Sequence, residues 1–347
     1  MYISLRNLSI NMKIQGIVLD REKSDKIELR EVALPLLGPT EVRVALKAAA
    51  LNHRDEWCRQ GLYPGLADGV ILGSDGAGVV EAVGATVDPH WVGKEVIINP
   101  ALDWGADEGA QQKSFSILGM PRHGTLATHV QVDQNRLHEK PEHLSWEAAA
   151  ALPLAGLTAY RALMVQGGCV AGEQVLVTGF GGGVAQFAAQ FALAAGAIVS
   201  TSSSSTEKLA KAREVGVQHT FQYTDEQWVK AALAETEGYH LIIDSAMGDT
   251  LAQLIKVARP GGRLVFYGAT RGNPSGFDAR KVFWSQLKLI GSTMGSDADF
   301  SAMLDFVREH RIQPVVDQVF GMEEAVEAFE RMKAGAQLGK IVIRTRR

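Results

Sequence analysis

Apolar and polar positions divide the chain into three stretches with different rhythms. Residues 12–139 carry short apolar runs at 14–19, 41–50, 78–83, 95–98 and 128–132, and Gly or Pro interrupts the gaps between them. Short β-branched runs closed by such breakers predict a compact, irregular β-rich domain. Near Ser145 the rhythm changes, because Ser145 can N-cap a helix through Glu147 and the four alanines 148–151. From there to about residue 296, strand candidates at 175–178, 198–201, 219–223, 241–244, 264–267 and 287–290 alternate with helical segments at 184–195, 206–215, 225–237 and 249–258. Alternation at this spacing predicts a parallel sheet covered by helices on both faces. The last stretch offers an amphipathic helix at 300–309, a run at 315–319, a helix at 322–334 and a terminal strand at 340–344. No internal repeat occurs, and the one biased tract, the serines 202–205, is too short for a linker.

One junction carries chemistry. The apolar run Val175, Leu176, Val177 stops at Gly179, and the glycines Gly181, Gly182 and Gly183 lead through Val184 into an alanine-rich helical segment. Strand, glycine turn and helix in this order suit a dinucleotide pyrophosphate resting on a helix N-terminus, where glycines let the backbone approach and the amide dipoles favour negative charge. A merely tight turn is the alternative, but the second strand ends on schedule, about 20 residues after the glycines. NAD-preferring sites place Asp or Glu there for the ribose 2′-hydroxyl. This chain instead offers Thr201, Ser202, Ser203, Ser204 and Ser205, with Lys208 one turn into the next helix. Hydroxyls and a lysine can bind a 2′-phosphate that a carboxylate would repel, so the pattern points to NADPH. The plainer alternative is that residues 204–206 only cap the helix. Ligands in open α/β sheets bind at the carboxyl ends of strands. Ala246, Gly268 and Ala269 are small residues at two such ends, leaving room for ribose and nicotinamide, with ordinary loop exits as the alternative. Tyr223 ends another strand and can stack near the adenine or pack at the core or rim.

Composition narrows the class. At 347 residues the chain is about two domains long. A net charge of -4 with no basic stripe gives no reason to expect nucleic acid. Cys58 and Cys169 exclude a disulfide framework and favour a reducing, cytoplasmic compartment. Residues 1–12 hold one basic residue, Arg6, and no continuous apolar core, so no signal peptide is expected. No apolar run reaches the roughly 20 residues that cross a bilayer.

Further motifs accompany the glycine turn: Gly-Ser-Asp-Gly-Ala-Gly-Val-Val at 73–80, Leu-Thr-Ala-Tyr at 157–160 and Gly-Gly-Arg-Leu-Val at 261–265. In this order and spacing they make the chain resemble a medium-chain dehydrogenase/reductase over nearly its whole length. The resemblance implies an α/β protein, with a doubly wound Rossmann sheet inserted in a β-rich GroES-like catalytic domain. Residues 1–139 and 312–347 would form the catalytic domain and 140–311 the dinucleotide-binding one.

Alcohol dehydrogenases of this superfamily hold a catalytic zinc through thiolate and imidazole ligands. By resemblance the three ligand positions fall at Asn52, at Ser74 and near Leu154, none of which suits zinc. The cysteine cluster of a structural zinc lobe has no counterpart in 103–123. His53, Asp55 and Asp75 could meet a metal only by chance geometry, so no metal is expected. Without a Lewis acid, hydride delivery to an electron-poor acceptor is easier than oxidation of an unactivated alcohol, because a quinone or α,β-unsaturated carbonyl moves the added charge onto oxygen. The chain accordingly resembles the zinc-free quinone oxidoreductase and enoyl reductase branch at 51–55 and 157–160.

That resemblance places Asn52 near the nicotinamide ribose or acceptor oxygen, Thr158 near the nicotinamide, and Lys340 within reach of the cofactor. Asn52 can alternatively be a loop cap. Asp55 reads as structural. Tyr63 is a possible proton donor or a turn residue, and solvent is the other proton source. His90, His123, His129 and His138 have no metal or nucleophile spacing, and Trp57, Trp91, Trp104 and Trp284 either shape an apolar pocket or fill the core. The apolar segment 287–292 is a candidate for edge-to-edge pairing in a homodimer. The expectation is a cytoplasmic, zinc-independent, NADPH-dependent reductase of a small electrophilic acceptor. Its rivals are an alcohol dehydrogenase of the same superfamily and a non-catalytic NADPH-binding sensor or structural protein.

Overall fold

The computed structural model describes residues 12–345. The expected lack of a leader in residues 1–11, and the outermost ends of the expected catalytic domain, lie outside the described residues.

The first stretch is β-rich, as its broken apolar runs require. Strands β1 (Lys13–Leu19) and β2 (Ile27–Ala33) pair antiparallel. They precede β3 (Glu41–Ala50), helix α1 (His53–Gln60), β4 (Asp75–Val83) and β5 (Glu95–Ile98). A two-residue ladder of β6 (Ala101–Leu102) and β7 (Ser116–Ile117) follows, then β8 (His129–Asp133) and β9 (Leu137–Glu139). Ser145 does cap a helix, its hydroxyl accepting from Ala148 N–H at the start of α2 (Trp146–Ala151), and α3 (Pro153–Tyr160) continues from it.

The second stretch alternates strand and helix. In chain order it runs β10 (Gln174–Val177), α4 (Gly183–Ala194), β11 (Ile198–Ser203), α5 (Thr206–Glu214), β12 (His219–Gln222), α6 (Trp228–Thr236), β13 (Tyr239–Asp244), α7 (Thr250–Val257), β14 (Ala258–Phe266), α8 (Ala279–Trp284), β15 (Lys288–Gly291) and α9 (Asp297–Glu309). The six strands are parallel in the order β12-β11-β10-β13-β14-β15, the doubly wound arrangement whose strand order reverses between β10 and β13. Strands covered on both faces must be apolar on both, and Val175, Leu176, Val177, Leu241, Ile242 and Ile243 are all fully buried.

The last stretch carries β16 (Val316–Gly321), α10 (Ala325–Lys333) and β17 (Lys340–Arg344). These strands return to the first sheet, whose order is β16-β17-β3-β4-β5-β9 with β8 also on β3. The fold is therefore a Rossmann sheet flanked by the two halves of a GroES-like sheet. Strand β14 starts earlier than the expected 264, because its ladder passes a register shift beside Pro260, Gly261 and Gly262, which read as breakers in sequence. Helix α6 starts later than 225, since the Asp225 carboxylate accepts Gln227 N–H at 2.8 Å and holds a turn there.

Charged side chains clamp the two sheets together. Arg161 Nη1 donates to Asp299 Oδ2 at 2.5 Å, its Nη2 reaches the carbonyls of Glu108 and Gly109, and its guanidinium lies 4.8 Å over the Trp104 ring. This ties the 103–113 loop to α9 without a metal ligand. Nearby, Arg136 grips Asp297 and the His138 ring packs 4.7 Å from Phe300. Burial first, then the Arg136 charge and to a smaller extent Arg308, with Asp297 opposing, together bring the His138 imidazole down to about 4. A depressed folded pKa stabilises the fold above the unfolded value near 6.5, and that contribution is lost as pH falls from 6.5 toward 4. The difference in urea midpoint between pH 7 and pH 4.5 is therefore expected to shrink in His138→Gln; an undiminished difference would show that His138 carries none of it.

Candidate active site

Strand β10 delivers the chain to the glycine turn. Gly179 turns it at a φ of +70°, a left-handed conformation open to glycine, and the N–H groups of Gly181 and Gly182 fold back on Gly179 O at 2.6 and 3.2 Å. Gly182 is the N-cap of α4, and Gly183 and Val184 begin its first turn. Helix-opening amides lack intrahelical acceptors and sit at the positive end of the dipole, so this terminus is shaped for an anion. Gly183 answers a second demand. A Cβ there would lie 2.7 Å from Lys340 Cδ, because the lysine stem crosses the helix terminus at this point. Gly339 N–H donates to Gly181 O at 3.0 Å and holds β17 against the turn.

The lysine stem leads to a buried polar cluster. Lys340 Nζ donates to Asp75 Oδ2 at 2.9 Å and to Asn52 Oδ1 at 2.5 Å, while Asn52 Nδ2 donates to Asp75 Oδ2 at 2.9 Å. Asp75 Oδ1 accepts Leu154 N–H at 2.8 Å. Asp75 is fully buried and Lys340 nearly so. Four elements thus converge: β17, the start of β4, the N-cap of α1 and the first turn of α3. Beside them Ser74 Oγ accepts from Arg54 Nη1 at 2.7 Å and donates to Leu118 O at 2.8 Å. The positions Asn52, Ser74 and Leu154 do come together, and two cationic side chains border them. Among the described residues no group of three or more His, Cys, Asp or Glu side chains is placed to hold a metal ion.

Asp55 is structural here. Its carboxylate accepts Asn52 N–H at 2.8 Å and Gly73 N–H at 3.2 Å, closing a capping box at the start of α1. Burial pushes this carboxyl above the usual range, with Arg54 opposing. His53 stands one residue past Asn52, open to solvent but walled by protein, and desolvation followed by the Lys340 charge lowers its pKa. Tyr63 lies under Arg54, the guanidinium 4.7 Å over its ring and Nε 3.5 Å from its hydroxyl. Thr158 turns its hydroxyl back to Leu154 O at 2.8 Å and faces Met294 Sδ.

A second part of the site lies across the strand ends, where a cavity of about 200 Å³ is lined by Thr178, Ser202, Tyr223, Asp244, Ala246 and Arg271 among others. Asp244 shapes its floor by accepting Thr178 Oγ1 at 2.5 Å and the N–H groups of Ala246 and Met247 at 3.0 and 2.8 Å. Ser203 Oγ accepts Ser205 N–H, and Ser205 caps α5, so the plainer expectation for residues 204–206 also describes this corner. Lys208 is drawn aside: its ammonium donates to the carbonyls of Gly335 and Gln337 at 3.0 and 2.7 Å. Gly268 stands against Ser245, and Ala269 is exposed, its carbonyl accepting Gly272 N–H. Arg54, Asp244 and Arg271 had no site role in the sequence reading, and His53 and Asp75 entered it only as chance metal ligands. The Asp75–Lys340 pair spans 265 positions and leaves no local signal. A larger cavity of about 780 Å³ opens among Gln15, Phe320 and Arg344, lined by none of the expected site residues.

Known proteins match this chain in sequence and fold. A family model described as an alcohol dehydrogenase GroES-like domain matches residues 38–142, and one described as a zinc-binding dehydrogenase matches 183–309. The zinc-type alcohol dehydrogenase-like protein YogA of Leptosphaeria maculans is 39% identical, covering 91% of this chain and 94% of that protein. A quinone oxidoreductase of Pseudomonas aeruginosa is 31% identical, covering 91% and 95%. Among solved structures, an NAD-dependent alcohol dehydrogenase superposes with a TM-score of 0.90 at 37% identity, covering 95% and 99%. The 2-octenoyl-CoA carboxylase reductase CinF, in complex with NADP and 2-octenoyl-CoA, superposes at 0.84 with 26% identity, covering 95% and 87%.

The buried cluster makes a direct energetic prediction. Lys340→Met leaves the Asp75 carboxylate buried without its cation, which costs about 3–5 kcal/mol. Asp75→Asn placed in the same background is expected to recover part of that loss, both read as urea midpoints. A neutral Lys340→Met would show that the pair does not carry this charge balance.

Proposed function

The chain belongs to the medium-chain dehydrogenase/reductase superfamily, and on that premise we propose a zinc-independent, NADPH-dependent reductase that delivers hydride to a quinone or an α,β-unsaturated carbonyl. Membership makes it an oxidoreductase; the cofactor preference, the acceptor and the freedom from zinc are the proposal. One observation carries it. Where the resemblance puts the zinc ligands, Asn52 is engaged with the Lys340 ammonium that Asp75 also holds, Ser74 with the Arg54 guanidinium, and Leu154 offers no donor side chain. Zn²⁺ takes thiolate, imidazole or carboxylate donors in a tetrahedral set. An amide, a hydroxyl and a leucine flanked by two cations do not fit it, so no step passes through a metal.

The nicotinamide, when bound, supplies the hydride from its C4. The turn from Gly179 to Gly183 and the opening amides of α4 would bind the pyrophosphate, and the cavity beside Ser202, Tyr223 and Ala246 the adenosine end. Asp75, anchored by Leu154 N–H, holds Asn52 and Lys340 in fixed positions through one hydrogen bond to each, so their dipole and charge cost no reorganisation when negative charge develops on an acceptor oxygen. Thr158 commits its proton to Leu154 O and serves as a wall of the cleft. Tyr63, under the Arg54 guanidinium, is the side chain placed to pass a proton, with water as the other source.

The relatives' names support both halves of the choice. The quinone oxidoreductase and the 2-octenoyl-CoA reductase point to activated acceptors, while the zinc-type and NAD-dependent alcohol dehydrogenase names favour the rival reading. The donor set at Asn52, Ser74 and Leu154 favours the first. No helix among the described residues is long and apolar enough to cross a membrane, which accords with a cytoplasmic reductase. Among the described residues strand β15 pairs only with β14, and this open edge is the proposed homodimer contact.

Steady-state oxidation of NADPH by a panel of quinones and enones, with and without chelator, tests the reading. Turnover that chelator leaves unchanged is expected, and Lys340→Met should lower kcat/KM by at least about tenfold, one 1.4 kcal/mol step of lost charge stabilisation. About one tightly held zinc per chain, with chelator-sensitive alcohol oxidation, would establish the rival. NADPH binding without any turnover would make the chain a sensor.

A further inference from the structure

The cation that sequence alone assigns to a 2′-phosphate is engaged elsewhere. Lys208 gives its ammonium to Gly335 O and Gln337 O, and Ser203 Oγ is taken by Ser205 N–H. The cavity at the strand ends nevertheless contains a free positive charge. Arg271 reaches it from the turn after β14, its backbone fixed by a 2.9 Å bond from its N–H to Ala246 O. Its guanidinium lies 5.8 Å from the centroid of the Tyr223 ring, on the far side of the cavity. The side chain is exposed and makes no hydrogen bond or ion pair with the described residues.

The carboxylate on that wall does not neutralise it. Asp244 is buried, and its oxygens are committed to Thr178 Oγ1 and to the N–H groups of Ala246 and Met247. A guanidinium over an aromatic face is attracted to the ring and leaves its N–H edge free, and that edge matches phosphate oxygens in pairs. Ser202, which also lines the cavity, is the penultimate residue of β11, the strand beside β10 and its glycine turn, where the adenosine ribose of a dinucleotide lies.

We propose that Arg271, held across the cavity on Tyr223, is the residue that selects NADPH over NADH by pairing with the 2′-phosphate. The inference rests on the reading that the glycine turn binds a nicotinamide dinucleotide and adds to it the residue that discriminates. Tyr223 acts as the platform that positions the guanidinium. Lys208 acts as a strap between α5 and the segment after α10.

Binding of NADPH, NADH, 2′,5′-ADP and 5′-AMP to the full chain, measured by calorimetry, decides this without any acceptor. Arg271→Gln is expected to weaken NADPH and 2′,5′-ADP by roughly 10- to 100-fold, the range for a hydrogen bond to a charged group. NADH and 5′-AMP should stay within about threefold, less than half of one tenfold step in free energy. Arg271→Lys, which keeps the charge and loses the fork, should fall between. An unchanged thermal midpoint of the exposed variant shows that its fold is retained. Equal weakening of all four ligands would overturn the proposal, as would selective loss of NADPH in Lys208→Gln with Arg271→Gln unaffected. A wild-type chain that binds none of the four would instead overturn the dinucleotide reading itself, and the proposal with it.

Discussion

One buried ion pair sets the geometry on which the site depends. Lys340 opens β17, Asp75 opens β4, and their 2.9 Å contact lies where Asp75 is fully buried and Lys340 nearly so. A carboxylate taken out of water must be paired and hydrogen-bonded on all sides, and Asp75 achieves this with one ammonium, one amide from α1 and one backbone N–H from α3. Those partners come from one sheet, through β17, and from the helices α1 and α3 that lie beside it. The pair therefore fixes the spacing between β17, β4 and the first turn of α3, where the chain passes toward the Rossmann stretch. Gly183 follows from the same requirement, because the lysine can reach Asp75 only by crossing the helix terminus where a Cβ would stand.

A fixed ammonium and a zinc ion do different work. Zinc accepts a lone pair and turns an alcohol into a far better hydride donor. An ammonium already engaged with Asp75 and Asn52 offers charge and dipole but no vacant coordination position. Such a site suits an acceptor whose own conjugation takes up the charge, and it suits an unactivated alcohol poorly. The second buried cation, Arg54, reinforces this by satisfying Ser74, Leu118 O and the Tyr63 ring together.

Much of the fold was legible because parallel, doubly covered strands must be apolar on both faces. Val175 to Val177 and Leu241 to Ile243 announce themselves as unbroken runs, and strands 41–50 and 95–98 fall where the pattern puts them. Helix α1 has no such signal. Its eight residues bury Arg54, Asp55, Glu56 and Arg59, and it is held by a capping box and by Arg59 contacts to Glu56 and to Glu330, far away in sequence. Strand β2, with charged residues on both sides of Leu29, hides in the same way.

The site divides along the same line. The glycine turn is a local device and reads locally. The convergence of Asn52, Ser74 and Leu154 was visible only through family resemblance, and the pairing of Asp75 with Lys340 was not visible at all. Lys208 looks like a free cation until the carbonyls of Gly335 and Gln337 are brought beside it. Arg271 looks like a surface residue until Tyr223 is placed opposite.

The central claim is that an ammonium occupies the place of the metal. A crystal structure of the chain grown with zinc in excess, with anomalous data collected on both sides of the zinc absorption edge, tests it most directly. The account predicts Lys340 Nζ bonded to Asp75 and Asn52, with no anomalous peak among Asn52, Ser74 and Leu154. A tetrahedrally ligated peak at that point, with Lys340 displaced, would contradict it.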